Sequence, residues 1–182
     1  MYNVDLQRIS DILESMKSSK VANYVIAGLD SYLVGGEGHG NVRLFENSRD
    51  HQDSITPHSH RFDFVCLVLE GEVYNELWTL SNHVKGDYFQ LSELSYKGDI
   101  GQHSRSIREE GFYYRDTFKY VKGQVYSMRA DQIHSIRFSK DAKVLFFEGP
   151  NISDKSVILE PIVNGEVIPT YQVKPYMFKR GE

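Results

Sequence analysis

From residue 41 onward the chain is cut into short runs of Val, Ile, Leu, Phe and Tyr, each closed by Gly, Asn, Asp or Ser. Runs that short suit strands half-buried on a pleated surface better than helices long enough to cover a core. The candidates are Val42–Phe45, Phe62–Leu69, Glu72–Leu80, Tyr88–Leu94, Phe118–Val121, Gln124–Met128, Ser135–Ser139, Val144–Glu148, Val157–Val163 and Glu166–Val173. Gly71, Lys122-Gly123 and Asn164-Gly165 read as tight hairpins between neighbours. Many short strands joined this way predict a sandwich or barrel. The longest polar interval, Ser95 to Glu110, reads as a loop over a pocket or an ordinary solvated loop.

The N-terminal part has a different pattern. Val4, Leu6, Ile9, Ile12, Leu13 and Met16 recur at helical spacing between charged residues, which predicts a helix over residues 3–20. Val21 to Leu33 either extends it or forms a second short helix, and the glycines from Gly35 to Gly40 form a flexible connector. The expected organisation is a helical segment over 1–40 packed on a β-barrel over 41–182, as a single domain.

Composition narrows the partners. A net charge of −4 over 182 residues lacks the basic footprint of a nucleic-acid binder. No apolar run approaches the ~18 residues of a membrane span, and the first residues lack a signal-peptide layout. A single cysteine, Cys66, forms no internal disulfide and reads as a buried small hydrophobe. The chain is expected to be cytoplasmic, and exposed sheet edges make a homodimer an expected partnership.

Chemistry enters with histidine. His58 and His60 are separated by one residue, so in an extended segment both point the same way. His134 opens a later apolar run and supplies a third imidazole, with His103 as its rival. Imidazole ligates iron, copper, nickel, manganese and zinc. His39, His51 and His83 have glycine or polar neighbours and read as surface residues.

His58-Ser59-His60 with Gly71, followed by His134, resembles the two motifs of the cupin superfamily over roughly residues 42–150. That resemblance implies a jelly-roll barrel (a double-stranded β-helix) preceded by an N-terminal helix or helices, with His58, His60 and His134 as metal ligands. The motif's carboxylate position falls on Phe64 or Val65, and Gln52, Arg129, Asp131 and Phe138 replace other motif residues. Either Asp63 takes the carboxylate's place, or the site has three histidines alone. The second arrangement is similar to the thiol dioxygenase branch, and there Arg43 falls where a substrate carboxylate would be gripped.

The resemblance implies one divalent transition metal, foremost Fe(II) with Zn, Ni or Mn as alternatives, and a dioxygenase acting on a small thiol or carboxylate. Tyr114 and Arg115 are candidates for catalytic contacts, since Tyr donates a hydrogen bond and Arg grips carboxylates with two. The other readings are a non-catalytic ligand- or metal-binding cupin, and a metal-independent sugar-nucleotide epimerase type. The epimerase type would use a His–Asp pair drawn from His60 or His134 with Asp63.

Overall fold

The computed structural model describes residues 5–36, 40–50, 54–83, 85–96 and 103–168. The order is α1 (Leu6–Met16), β1 (Ser18–Val21), β2 (Leu29–Gly35), β3 (Val42–Asn47), β4 (Phe64–Glu70), β5 (Glu72–Leu80) and β6 (Asp87–Tyr96). Then come β7 (His103–Val121), β8 (Val125–Met128), β9 (Ile133–Phe138), β10 (Lys143–Glu148), β11 (Lys155–Val163) and β12 (Glu166–Val167).

One sheet has the order β1-β2-β3-β10-β4-β8, the other β12-β11-β6-β7-β5-β9. The extended segment 54–60 closes the second sheet. On one side Ile55 N donates to Ile136 O, and His58 and His134 exchange both backbone bonds at 2.9 Å. On the other, Ser59 N donates to Val157 O and Leu159 N to Pro57 O. Strands β3, β4, β8 and β10 of the first sheet and β5, β9 and the segment 54–60 on the other side contribute side chains to one shared interior. This is the cupin-type jelly roll that the sequence led us to expect. Among the described residues no helix is long and apolar enough to cross a membrane.

Alternation along β3, β4 and β10 builds two of the three hydrophobic clusters among the described residues. Arg43 and Phe45 on β3, Phe64, Cys66 and Val68 on β4, and Val144 and Phe146 on β10 point into the barrel. The residues between them, Leu44, Leu67, Leu69 and Leu145, point outward and are covered by Leu6, Ile9 and Leu13 of α1. Period-two alternation on the sheet and 3.6-residue spacing on the helix make that match. Asp5 caps α1, its side chain accepting from Arg8 N at 3.1 Å. Lys17 and Lys143 then interleave with Glu14 and Glu46, tying the helix end to β3 and β10.

Two expectations are corrected. The helix stops at Met16 because Lys17 turns extended (φ −55°, ψ 122°), and residues 18–35 supply β1 and β2, not a second helix. In β2 the burial of Leu29, Ser31 and Val34 against β3 follows the sheet, not a helical stripe. The polar interval beginning at Ser95 is no long loop either. Ser95 and Tyr96 end β6, residues 103–110 start β7, and these two strands pair from Asp87↔Tyr113 to Tyr96↔His103. Asn164 (φ 54°) and Gly165 (φ 81°) both occupy the left-handed region, as a two-residue turn between Val163 and Glu166 demands.

Candidate metal centre

Three local rules bring the histidines together. His58 and His60 share one side of the extended segment 54–60. His134 is the direct antiparallel partner of His58, joined by the reciprocal bonds described above. Residues so paired carry Cβ atoms ~5 Å apart. The segment itself is pinned to β11, for Ser59 Oγ also accepts from Val157 N at 2.9 Å.

The ligating atoms of His58, His60 and His134 all lie within 4.8 Å of one another. Ring centroids are 4.8 Å apart for His58–His60, 5.0 Å for His58–His134 and 5.1 Å for His60–His134. Nitrogens sharing one ion at ~2.1 Å sit ~3–3.5 Å apart, so only small side-chain adjustments separate this arrangement from a bound one.

Hydrogen bonds settle where the ring protons are. His58 Nδ1–H donates to the Thr56 carbonyl at 2.7 Å, leaving the Nε2 lone pair for the centre. His134 Nδ1–H donates to Asn75 Oδ1, also at 2.7 Å. The Asn75 amide is oriented in turn by Nδ2 donating to Met128 Sδ at 3.3 Å. His60 Nε2 lies 2.9 Å from His134 Nε2. Since His134 carries its proton on Nδ1, this contact needs the His60 proton on Nε2, and an ion held by all three rings would stand in its place.

Electrostatics favour the neutral, ligating form. Burial lowers His58 below the ordinary histidine range, partly opposed by its bond to Thr56. Burial, then the charges of His58 and His134, holds His60 well below it. Burial, then His58, does the same to His134, which is only 2% exposed.

The triad forms one wall of a cavity of about 300 Å³. Phe64 packs on both His60 and His134, at 4.9 and 5.5 Å between centroids. Phe62 lies 5.3 Å from His60, and Phe45, Phe138 and Phe146 continue the apolar lining. Arg43, 3% exposed, brings a guanidinium into this cavity, bonded to Ser31 Oγ at 3.3 Å and set against the Tyr24 ring. Cys66 also lines it, buried as expected, and burial pushes its thiol up to about 12.

Several sequence candidates lie elsewhere. Asp63 does not join the histidines. Its Oδ1 accepts from Ala130 N at 2.7 Å, and it lines an adjoining groove with His60, Arg129, Asp131 and Lys155. The His–Asp pair of the epimerase reading is therefore not formed. Tyr114 shares a face of β7 with Tyr120, which packs on the barrel core, but lies six residues, ~20 Å, further along the strand and is 47% exposed. Arg115 is on the opposite face, over Trp78 and 3.4 Å from Glu76. Neither lines the cavity. His83 is exposed as expected, and His103 is placed by its backbone at the start of β7. His39 and His51 lie outside the described residues.

Sequence reasoning missed Asn75. The available signal was position: Asn75 falls between Val73 and Leu77 on the barrel-facing side of β5, where an apolar residue is expected.

No family model and no curated protein matches this sequence. Solved structures similar to it include hydroxypropylphosphonic acid epoxidase from S. wedmorenis, with 12% identity and a TM-score of 0.42. That match covers 71% of this chain and 54% of the epoxidase, so the chain spans about half of that protein. Hydroquinone 1,2-dioxygenase PnpCD, solved with Cd2+ and 4-hydroxybenzonitrile, shows 14% identity, 84% and 80% coverage of the two chains, and a TM-score of 0.43. A cupin superfamily protein from Desulfitobacterium hafniense DCB-2 shows 14% identity, 71% and 74% coverage, and a TM-score of 0.35. The cupin-type fold itself is recognised from this chain's own strand order and register.

Proposed function

We propose that this chain is a mononuclear metal-binding cupin that acts as an Fe(II)-dependent dioxygenase on a small organic molecule. His58, His60 and His134 would hold the ion. The carrying observation is the proton placement: the Nδ1–H groups of His58 and His134 are tied to Thr56 O and Asn75 Oδ1, so both Nε2 lone pairs are offered to one point. Rings oriented by a bond from their other nitrogen are the usual form of a histidine metal ligand. An Fe(II) ion held by these three imidazoles would supply redox chemistry with O₂.

The chain's own residues do the rest. The phenylalanine lining gives the histidines an apolar wall, which strengthens each polar contact beside it. Arg43 offers a buried cation to a carboxylate group of the substrate. Burial keeps the three imidazoles neutral, and His60 alone must move its proton from Nε2 to Nδ1 for its Nε2 to face a cation.

The test is metal content of the purified chain beside His58→Ala and His134→Ala, with oxygen uptake followed on a panel of small thiols and carboxylates. About one iron per chain, lost in both variants together with oxygen consumption, is the expected result. Equal metal content in all three proteins would remove the site. Bound metal without oxygen uptake on any member would leave a binding protein in place of the dioxygenase.

A further inference from the structure

The cavity lining carries a second cation. Arg61, directly after His60, is half-buried, and its guanidinium lies over the ring of Tyr96, 4.5 Å from the centroid. Both residues border the cavity. Both are also anchored. The Arg61 carbonyl accepts from Ile152 N and Ser153 N at 2.9 and 3.2 Å. Tyr96 N donates to Asp154 O at 2.9 Å, and its hydroxyl lies 3.2 Å from Ser156 Oγ, which borders the cavity too. Contact with a ring engages the face of a guanidinium and leaves the N–H groups around its edge to donate. Among the described residues no hydrogen bond or ion pair uses them. By contrast Arg105, Arg108, Arg115 and Arg129 each meet a carboxylate.

Charge and position define what this cation can take. The lining sets Arg43 and Arg61 against one carboxylate, Glu148, which accepts from Asn41 Nδ2 at 2.9 Å. Arg43 belongs to β3 of the first sheet, and Arg61 rests on Tyr96 at the end of β6 in the second, so the two cations approach from opposite walls. Apolar rings run between them. Phe146 is the partner of Arg43 across the β3–β10 ladder, and Phe62, the residue after Arg61, lies 6.2 Å from Phe146 between centroids. We propose that Arg61 is a second anion contact of the site and that the molecule held there is a small diacid, with one carboxylate on Arg43, a short apolar body over Phe62 and Phe146, and the other carboxylate on the edge of the Arg61 guanidinium. This rests on the reading of the cavity as the substrate site, and it narrows the small organic molecule to a class.

The probes are malonate, succinate, glutarate and adipate, each beside its monoamide, which matches it in size and lacks one charge. Affinities are measured by calorimetry at constant ionic strength on the as-purified full chain, Arg61→Gln and Arg61→Lys, together with the melting temperature of each protein. At least one diacid should bind the wild type about tenfold more tightly than its monoamide. Arg61→Gln should lose that preference while the monoamide keeps its affinity. Arg61→Lys, which retains the charge without the two-pronged edge, should restore part of it. A merely structural Arg61 would instead lower the melting temperature and weaken acid and amide alike. That result, a preference that survives in Arg61→Gln, or a wild type that prefers no diacid would each overturn the proposal. His58→Ala separates the proposal from the metal reading. It should lose metal and keep the diacid preference, and loss of both together would mean that the ion reads the second acid. No binding of any probe at millimolar concentration would overturn the cavity reading along with it.

Discussion

Asn75 should control metal affinity without touching the metal. Its Oδ1 accepts the Nδ1 proton of His134 at 2.7 Å, and its amide is oriented by Met128. Replacing it by Leu, of similar size, removes the acceptor and frees His134 to carry its proton on Nε2, toward His60. In that tautomer no lone pair faces the centre. If the original tautomer persists, a buried N–H is left without a partner, at a cost of about 1–3 kcal/mol. Partners of this kind change metal affinity by about 10–100-fold when removed, which agrees with that energy range. The assay is a Co(II) titration against a chelator of known affinity, read from the visible absorption of the bound ion. Asn75→Asp serves as the control, because it keeps an oxygen acceptor and should retain tight binding while lowering stability. Wild-type affinity in Asn75→Leu would refute the reasoning, for it would mean that the His134 tautomer is set by something other than Asn75.

Three further outcomes follow from the same coordinates. Burial lowers the pKa of His58, His60 and His134, so the folded chain binds fewer protons than the unfolded chain at mildly acidic pH. Its melting temperature should therefore fall as the pH drops below about 6.5, the unfolded histidine value, and replacing all three rings with Gln should flatten that slope; a slope unchanged by the replacement contradicts the assignment. Glu14 is held down at about 2 by Lys17 and Lys143 against opposing desolvation, so its contribution to docking α1 is present above the ordinary carboxylate value and is lost as the pH falls toward 2. Hydrogen exchange of α1 amides should rise across that interval in the wild type and change little in Glu14→Gln. Leu44, 1% exposed between β3 and α1, should cost about 2–5 kcal/mol when cut to Ala, seen as a shift of the denaturation midpoint; a loss under 1 kcal/mol would mean that α1 adds little cover.

The histidine triad could be read from the sequence because local rules make it. An i, i+2 pair on an extended segment needs no long-range information, and His134 needs only antiparallel pairing with His58. The barrel strands could be read because apolar runs and turn residues alternate. Tyr114 and Arg115 lie away from the cavity because neither rule says how far a strand runs past its core. The Tyr114 position was sound as to face and wrong as to distance along β7, while Arg115 pairs with Glu76 outside the barrel. Asn75 was hidden for a related reason. Period-two alternation assigns it to the inner face, but only the diagonal neighbour relation between β5 and β9 shows which imidazole it meets.

The polar stretch around Arg105 reads as loop in the sequence because its strand character is not written in apolar residues. Its order comes from the ladder with β6 and from ion pairs of Arg105 with Glu160 and Arg108 with Glu93. That unread hairpin bears on the chemistry. β6 pairs β11 from Pro161↔Phe89 to Lys155↔Ser95, and β11 in turn grips the segment 54–60 through Val157 and Leu159. His58 and His60 are therefore braced on both sides, by β9 through the barrel and by β11 through β6. A segment outside any apolar run, carrying Pro57 and two histidines, would otherwise be a loop whose rings sample many orientations. The polar hairpin thus helps hold this stretch extended between β9 and β11, and the extended backbone fixes which way the imidazoles point.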